Sequence, residues 1–156
     1  MNYRLFPSAL VVAAVTTFGC SAPGVYEKAV DLQTTGLGSI VRVDPAFDSL
    51  VPPTAKIERI LSGQEFTEGP MYMREGYLLF SDIPRNIIYK WQADGTVSEF
   101  RKPSGYSGTD APKGAFIGSN GLTVDKQRRL TICEHGNRRV VRMEKNDRVT
   151  VLADRK

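Results

Sequence analysis

Glu68 stands before Gly69-Pro70, Asn120 before Gly121, and Glu134-His135 before Gly136-Asn137, so the sequence places four chemistry-bearing side chains beside turn-forming residues. His135 has the one side chain type that titrates near neutral pH and suits a general acid or base. A histidine in a Gly-rich turn also commonly does no more than satisfy backbone groups. Asn120 and Glu134 are candidates for holding substrate, although a turn asparagine often bonds its own backbone. His135 is the single histidine, which excludes a site built on a histidine cluster. The two cysteines, Cys20 and Cys133, cannot make a disulfide framework or a Cys-based zinc site.

The elements that position these side chains must come from an ordinary globular chain. It has 156 residues, 41% hydrophobic and 24% charged, a balance that excludes disordered and collagen-like classes. Fourteen Gly and nine Pro point to many turns and argue against a helix bundle. The net charge of +4 is scattered, and its densest stretches, Arg128-Arg129 and Arg138-Arg139 followed by Arg142, have no interleaved aromatic side chains. This excludes a nucleic-acid partner and fits arginines on the solvated faces of strands. Arg138 and Arg139 either secure loops or face water, and an arginine beside a channel is suited to an acidic substrate.

The N-terminus reads as an export address. Met1–Arg4 gives a positive start, and Leu5–Phe18 is an uncharged apolar run of 14 residues, the length of a signal-peptide core and short for a membrane span. It ends in Thr17-Phe18-Gly19-Cys20-Ser21, which resembles a bacterial lipoprotein cleavage site with acylation at Cys20; plain cleavage after Ala22 is the alternative. Residues 1–19 are thus expected to be a signal peptide, with an exported, periplasmic and lipid-anchored protein as the outcome. The anchor is the one membrane contact expected, and no specific protein partner is implied. Cys133, left alone, suits a small buried thiol. Residues 20–54 read as a tether closing on Val51-Pro52-Pro53, and residues 55–156 as the folded part.

That folded part repeats. Residues 68–102 align without gaps with 120–154, an offset of 52. Identities are few (Gly69/Gly121, Leu78/Leu130, Val97/Val149), but Phe80 meets Ile132, Asp82 meets Glu134, Ile88-Tyr89 meets Val140-Val141, and the turns coincide. Each unit predicts four strands, Pro70–Met73, Tyr77–Ser81, Asn86–Trp91 and Val97–Phe100, then Leu122–Val124, Leu130–Cys133, Arg139–Met143 and Val149–Leu152. Four-stranded units of this length mark β-propeller blades, with a sandwich or separate meanders as the alternative. Residues 103–117 are then a loop inserted between blades. By the offset, Asn120 holds in the second blade the place of Glu68 in the first, at the start of a strand that lines the central channel.

Thr67-Glu68-Gly69-Pro70, Leu78-Leu79-Phe80-Ser81-Asp82-Ile83-Pro84, Ser119-Asn120-Gly121-Leu122 and Cys133-Glu134-His135-Gly136-Asn137-Arg138-Arg139-Val140 occur in that order. Together they resemble the N-terminal part of the gluconolactonase/SMP-30/luciferin-regenerating enzyme family. The resemblance implies an all-β, six-bladed propeller, represented here by about two blades plus a closing strand at Lys56–Leu61. It further implies one divalent metal in the central channel (calcium, magnesium or zinc, calcium being favoured) and a small-molecule lactone substrate. Glu68 matches the family's metal-binding glutamate, and carboxylate and amide oxygens suit a hard cation. Asn120 would bind that metal, directly or through water, or a substrate hydroxyl.

The chemistry implied is metal-assisted hydrolysis of a sugar lactone. The family's later ligand motifs and its general base have no counterpart in these residues. The expectation from sequence is therefore a gluconolactonase-like chain, truncated and inactive alone, with an open blade face at each side that favours association or a molten state. A non-catalytic propeller-type binding module of the bacterial envelope is the alternative.

Overall fold

A computed structural model describes Val25–Tyr26 and residues 38–155. The expected signal peptide and Cys20 lie outside the described residues, as does most of the N-terminal half of the tether. Among the described residues nine strands fall into two antiparallel sheets. The first contains β1 (Val25–Tyr26), β2 (Thr67–Met73), β3 (Tyr77–Asp82), β4 (Ile87–Gln92) and β5 (Val97–Arg101), in the order β1-β5-β4-β3-β2. The second contains β6 (Ser119–Val124), β7 (Leu130–Glu134), β8 (Arg139–Met143) and β9 (Val149–Asp154), in sequence order. Two four-stranded meanders packed face to face are consecutive propeller blades.

The strands form because the apolar runs are short and bounded by turn residues. In β3, Leu78-Leu79-Phe80 is a continuous apolar run, the pattern of a strand covered on both faces. Leu79 faces the second blade and joins Met73, Ile88, Leu130, Ile132 and Val141 in the core between the sheets. Phe80 faces the other way, into a cluster with Ile87, Tyr89 and Val97 that Leu61 partly covers. β9 is exposed at all six of its residues.

The 52-residue repeat is followed by the backbone more closely than by the side chains. Left-handed conformations occur at Gly76 and Arg128, at Asn86 and Arg138, and at Gly95 and Asp147, each pair 52 apart. Register irregularities between Ile88 and Tyr89 and between Val140 and Val141 recur at the same offset.

Four expectations need correction. β2 and β6 each begin three residues earlier than predicted, at Thr67 and Ser119, because the Gly-Pro and Asn-Gly pairs are accommodated as β-bulges inside the strands. Lys56–Leu61 is not a strand. Among the described residues no strand pairs with it, and its Leu61 instead packs on the first blade. Cys133 is exposed, since strand alternation turns it to the face opposite buried Ile132. The tether contains a short 3-10 helix, Pro45–Ser49, capped by Asp44, whose carboxylate accepts the Ala46 N–H at 2.7 Å.

Arg128 and Arg129 sit in ion pairs between turns. Arg128 meets Glu75 of the other blade at 2.5 Å, and Arg129 meets Asp125 at 2.7 Å and Glu144 at 3.2 Å.

Candidate functional site

One end of the two sheets gathers the starts of β2 and β6, the ends of β3 and β7, and the turns that follow them. Both candidate ligands sit there, inside the bulges: Glu68-Gly69-Pro70 in β2 and Asn120-Gly121 in β6. A bulge re-aims the side chains around it, which is why bulges gather at functional sites. The blades meet closely at this point. Gly69 has φ +56°, and a Cβ on it would stand 2.3 Å from the Asn120 carbonyl oxygen, so only glycine fits.

Buried hydroxyls fix Asn120 from beneath. Ser81 Oγ donates to the Asn120 carbonyl at 3.0 Å and lies 2.7 Å from Ser119 Oγ. The Ser119 N–H donates in turn to Ser104 Oγ at 2.9 Å. All three serines are fully buried. The main chain of Asn120 is therefore held by groups that cannot exchange with water.

Glu68 is half-buried. Its Oε2 accepts only a long 3.4 Å bond from the Gly69 N–H, and among the described residues it has no cationic partner within ion-pair distance. The Asn120 side chain is exposed. The structure brings the main chains of the two residues together but opens their side chains onto different cavities. Glu68 lines one of about 540 Å³ with Arg59, Leu61, Leu78 and Phe80. Asn120 shares one of about 500 Å³ with Cys133, Glu134, His135, Arg138 and Arg139.

Glu134 is 2% exposed and held from three sides. Its Oε2 accepts from Asn137 Nδ2 at 2.7 Å and Arg139 Nε at 2.5 Å, and Arg101 approaches Oε1 at 3.5 Å. Asp82, at the same repeat position in the first blade, is likewise buried and accepts the N–H groups of Glu65 and Phe66, both at 3.2 Å. The acid thus organises the chain around its turn in both blades. His135 is exposed, and its carbonyl accepts the Arg138 N–H at 3.2 Å.

Sequence reasoning missed Asn86. Its Oδ1 accepts the N–H groups of Ser104, Gly105 and Tyr106 at 3.0, 2.8 and 3.2 Å, and its Nδ2 donates to the Tyr106 carbonyl at 2.8 Å. This stitches the inserted loop to the first blade. Asn137 stitches it to the second, its N–H donating to the Gly105 carbonyl at 2.8 Å and its Oδ1 accepting the Ser107 N–H at 3.2 Å. The signal was an asparagine in a tight turn, where its left-handed backbone frees the side chain to act as a local hub. On the loop itself, the Tyr106 hydroxyl donates to Asp110. That bond raises the tyrosine pKa and lowers the aspartate's.

Among the described residues no group of three or more His, Cys, Asp or Glu side chains gathers as a metal cluster. The Glu68 carboxylate fits one position of an oxygen-ligand site, and a hard cation of the calcium type needs several oxygens more.

Comparison with known proteins agrees with this architecture. The SMP-30/gluconolactonase/LRE-like region matches residues 66–156. A gluconolactonase of Zymomonas mobilis is 32% identical over 136 residues, which cover 85% of this chain and 38% of that protein. The chain therefore spans about two fifths of that relative's length. A Xanthomonas campestris gluconolactonase superposes with a TM-score of 0.57 at 26% identity, over 72% of this chain and 34% of that one. A structural-genomics structure carrying a provisional gluconolactonase name gives 0.58 at 30% identity, over 73% and 36%. Two bulged blades with one motif at equivalent strand starts, and a sequence match over more than half of the chain, lead to one assignment: the chain belongs to the SMP-30/gluconolactonase/LRE-like family.

Proposed function

We propose that this chain supplies the first part of the site of a sugar-lactone hydrolase, with Glu68 as an oxygen ligand of one divalent cation, calcium by preference, and the Asn120 amide as a group that holds substrate. The carrying observation is the paired bulge. Gly69 seats against the Asn120 carbonyl, so Glu68 and Asn120 lie at the starts of β2 and β6, at one end of the two blades. The half-buried Glu68 carboxylate, which has no cationic partner within ion-pair distance among the described residues, supports the reading, because a carboxylate partly removed from water without a counter-charge favours binding a cation. A bound divalent cation supplies Lewis acidity toward the lactone carbonyl. The protein's own part is to hold Glu68 and Asn120 in place, through the serine network beneath, and to keep the loop of residues 103–117 over the same end of the blades.

Calorimetric titration with calcium is the test. In a full-length homologous propeller the wild type is expected to bind, and the change equivalent to Glu68→Gln, which keeps shape and removes charge, is expected to lose at least about tenfold in affinity. Equal affinity of the two proteins, or no calcium binding by wild type, overturns the ligand role.

A further inference from the structure

Phe66 and Phe116 lie at the same end of the blades and are 45% and 48% exposed, although each is large and apolar. Their rings meet edge to face, 5.1 Å between centroids and 68° between planes. Phe66 precedes the Glu68 bulge by two residues, and its carbonyl accepts the Ile83 N–H at 3.0 Å. Phe116 comes from the inserted loop that joins β5 to β6.

 Its path runs from β5 through residues 103–117 to β6, so the pair bridges the junction between the blades.

The loop that presents Phe116 is fixed on both sides of it. The Ala115 N–H donates to the Pro112 carbonyl at 3.1 Å, the Ile117 carbonyl accepts the Gly136 N–H at 3.2 Å, and the Gly118 N–H donates to the Ile83 carbonyl at 2.8 Å. Asn86 fastens the loop's beginning. An exposed aromatic pair costs hydration, and a loop held in one conformation presents such a pair ready for a ligand, with little ordering left to do on binding.

We propose that Phe66 and Phe116 form an aromatic wall that takes the C–H face of the lactone's sugar ring, and that Asn86 is the positioning residue for Phe116. The inference rests on the lactone reading given above and adds to it the surface that selects a ring. An aromatic face carries negative quadrupole charge, and the axial C–H bonds of a sugar present a weakly positive, apolar face to it. The hydroxyls at the ring edge stay free to meet polar groups.

The experiment uses Phe116→Trp as a reporter, with the unaltered chain and its single Trp91 as background, titrated with freshly dissolved glucono-1,5-lactone and separately with gluconate. The expected result is a saturable change in emission that Phe66→Ala weakens at least about fivefold and Asn86→Ala weakens comparably. Asn86→Asp, which keeps the Oδ1 acceptor for the three N–H groups, is expected to restore most of the response. A response that survives Glu68→Gln upholds the wall even where the cation reading fails. No change in emission with either ligand, or a response indifferent to Phe66→Ala, overturns the wall whatever calcium does. Near-UV circular dichroism of each variant, matching wild type, excludes loss of fold as the cause.

Discussion

Tyr106 and Asp110 show how a single contact sets the chemistry of an exposed loop. The hydroxyl donates to the carboxylate, so the tyrosine holds its proton to higher pH and the aspartate loses its proton at lower pH than usual. The sign of the linkage differs at the two ends. For the aspartate, whose folded pKa is lowered, the contribution is present above its unfolded value and is lost as pH falls through the folded one. For the tyrosine, whose folded pKa is raised, it is present below the unfolded value and is lost as pH rises through the folded one. Asp110→Asn is therefore expected to bring Tyr106 ionisation back down toward the ordinary tyrosine range. Ultraviolet difference titration of wild type against variant checks it, and superimposable curves would show that the contact is not formed. At this scale the sequence disclosed Glu68, Asn120, Glu134 and His135 as residues of interest. It concealed the serines at positions 81, 104 and 119, because a serine that bonds across blades looks in sequence like any serine in a turn.

At the scale of elements, the repeat was legible from the spacing of apolar residues and turns, and each strand appears where that spacing put it. The strand starts were not legible. Glu68-Gly69-Pro70 and Ser119-Asn120-Gly121 read as turn chemistry, and only pairing with β3 and β7 shows them to be bulged strand. Lys56–Leu61 failed for the opposite reason, since its alternation is strand-like but a strand exists only when another strand accepts its hydrogen bonds. The repeat also allows one blade to instruct the other. Asn86 and Arg138 occupy equivalent turns with φ +58° and +56°, a conformation that asparagine tolerates and arginine adopts at a cost. Arg138 has no carboxylate within ion-pair distance among the described residues, so little is lost with its side chain. Arg138→Asn is expected to stabilise the fold by about 0.5–1 kcal/mol, read as a higher urea midpoint at unchanged slope. A lower midpoint would mean that the guanidinium contributes more than the strain costs.

For the whole molecule, the surfaces that face neither blade decide behaviour in solution. Val149, Val151 and Leu152 on β9 are 37%, 45% and 47% exposed, and among the described residues β9 pairs only with β8. An outer strand with apolar side chains and a free edge is a template for another strand. The chain is expected to self-associate at micromolar concentrations, with Val151→Lys restoring the 17.3 kDa monomer. Light scattering after size exclusion reads the outcome, and a wild type that stays monomeric as concentration rises would show that β9 is not a docking edge. The family and the propeller architecture were legible from four ordered motifs, whereas the contact between blades was not, because it depends on which faces meet. The within-sheet connectivity also sets a timetable. Every strand of β2–β5 and β6–β9 pairs with its neighbour in sequence, so each blade is a run of hairpins with short loops to close, whereas the two blades join through β2 and β3 against β6. Hairpins form in about 1–10 μs and local contacts speed folding. The order expected from this is blade first and junction last, with the seating of Gly69 on Asn120, which creates the candidate site, as the closing step of folding.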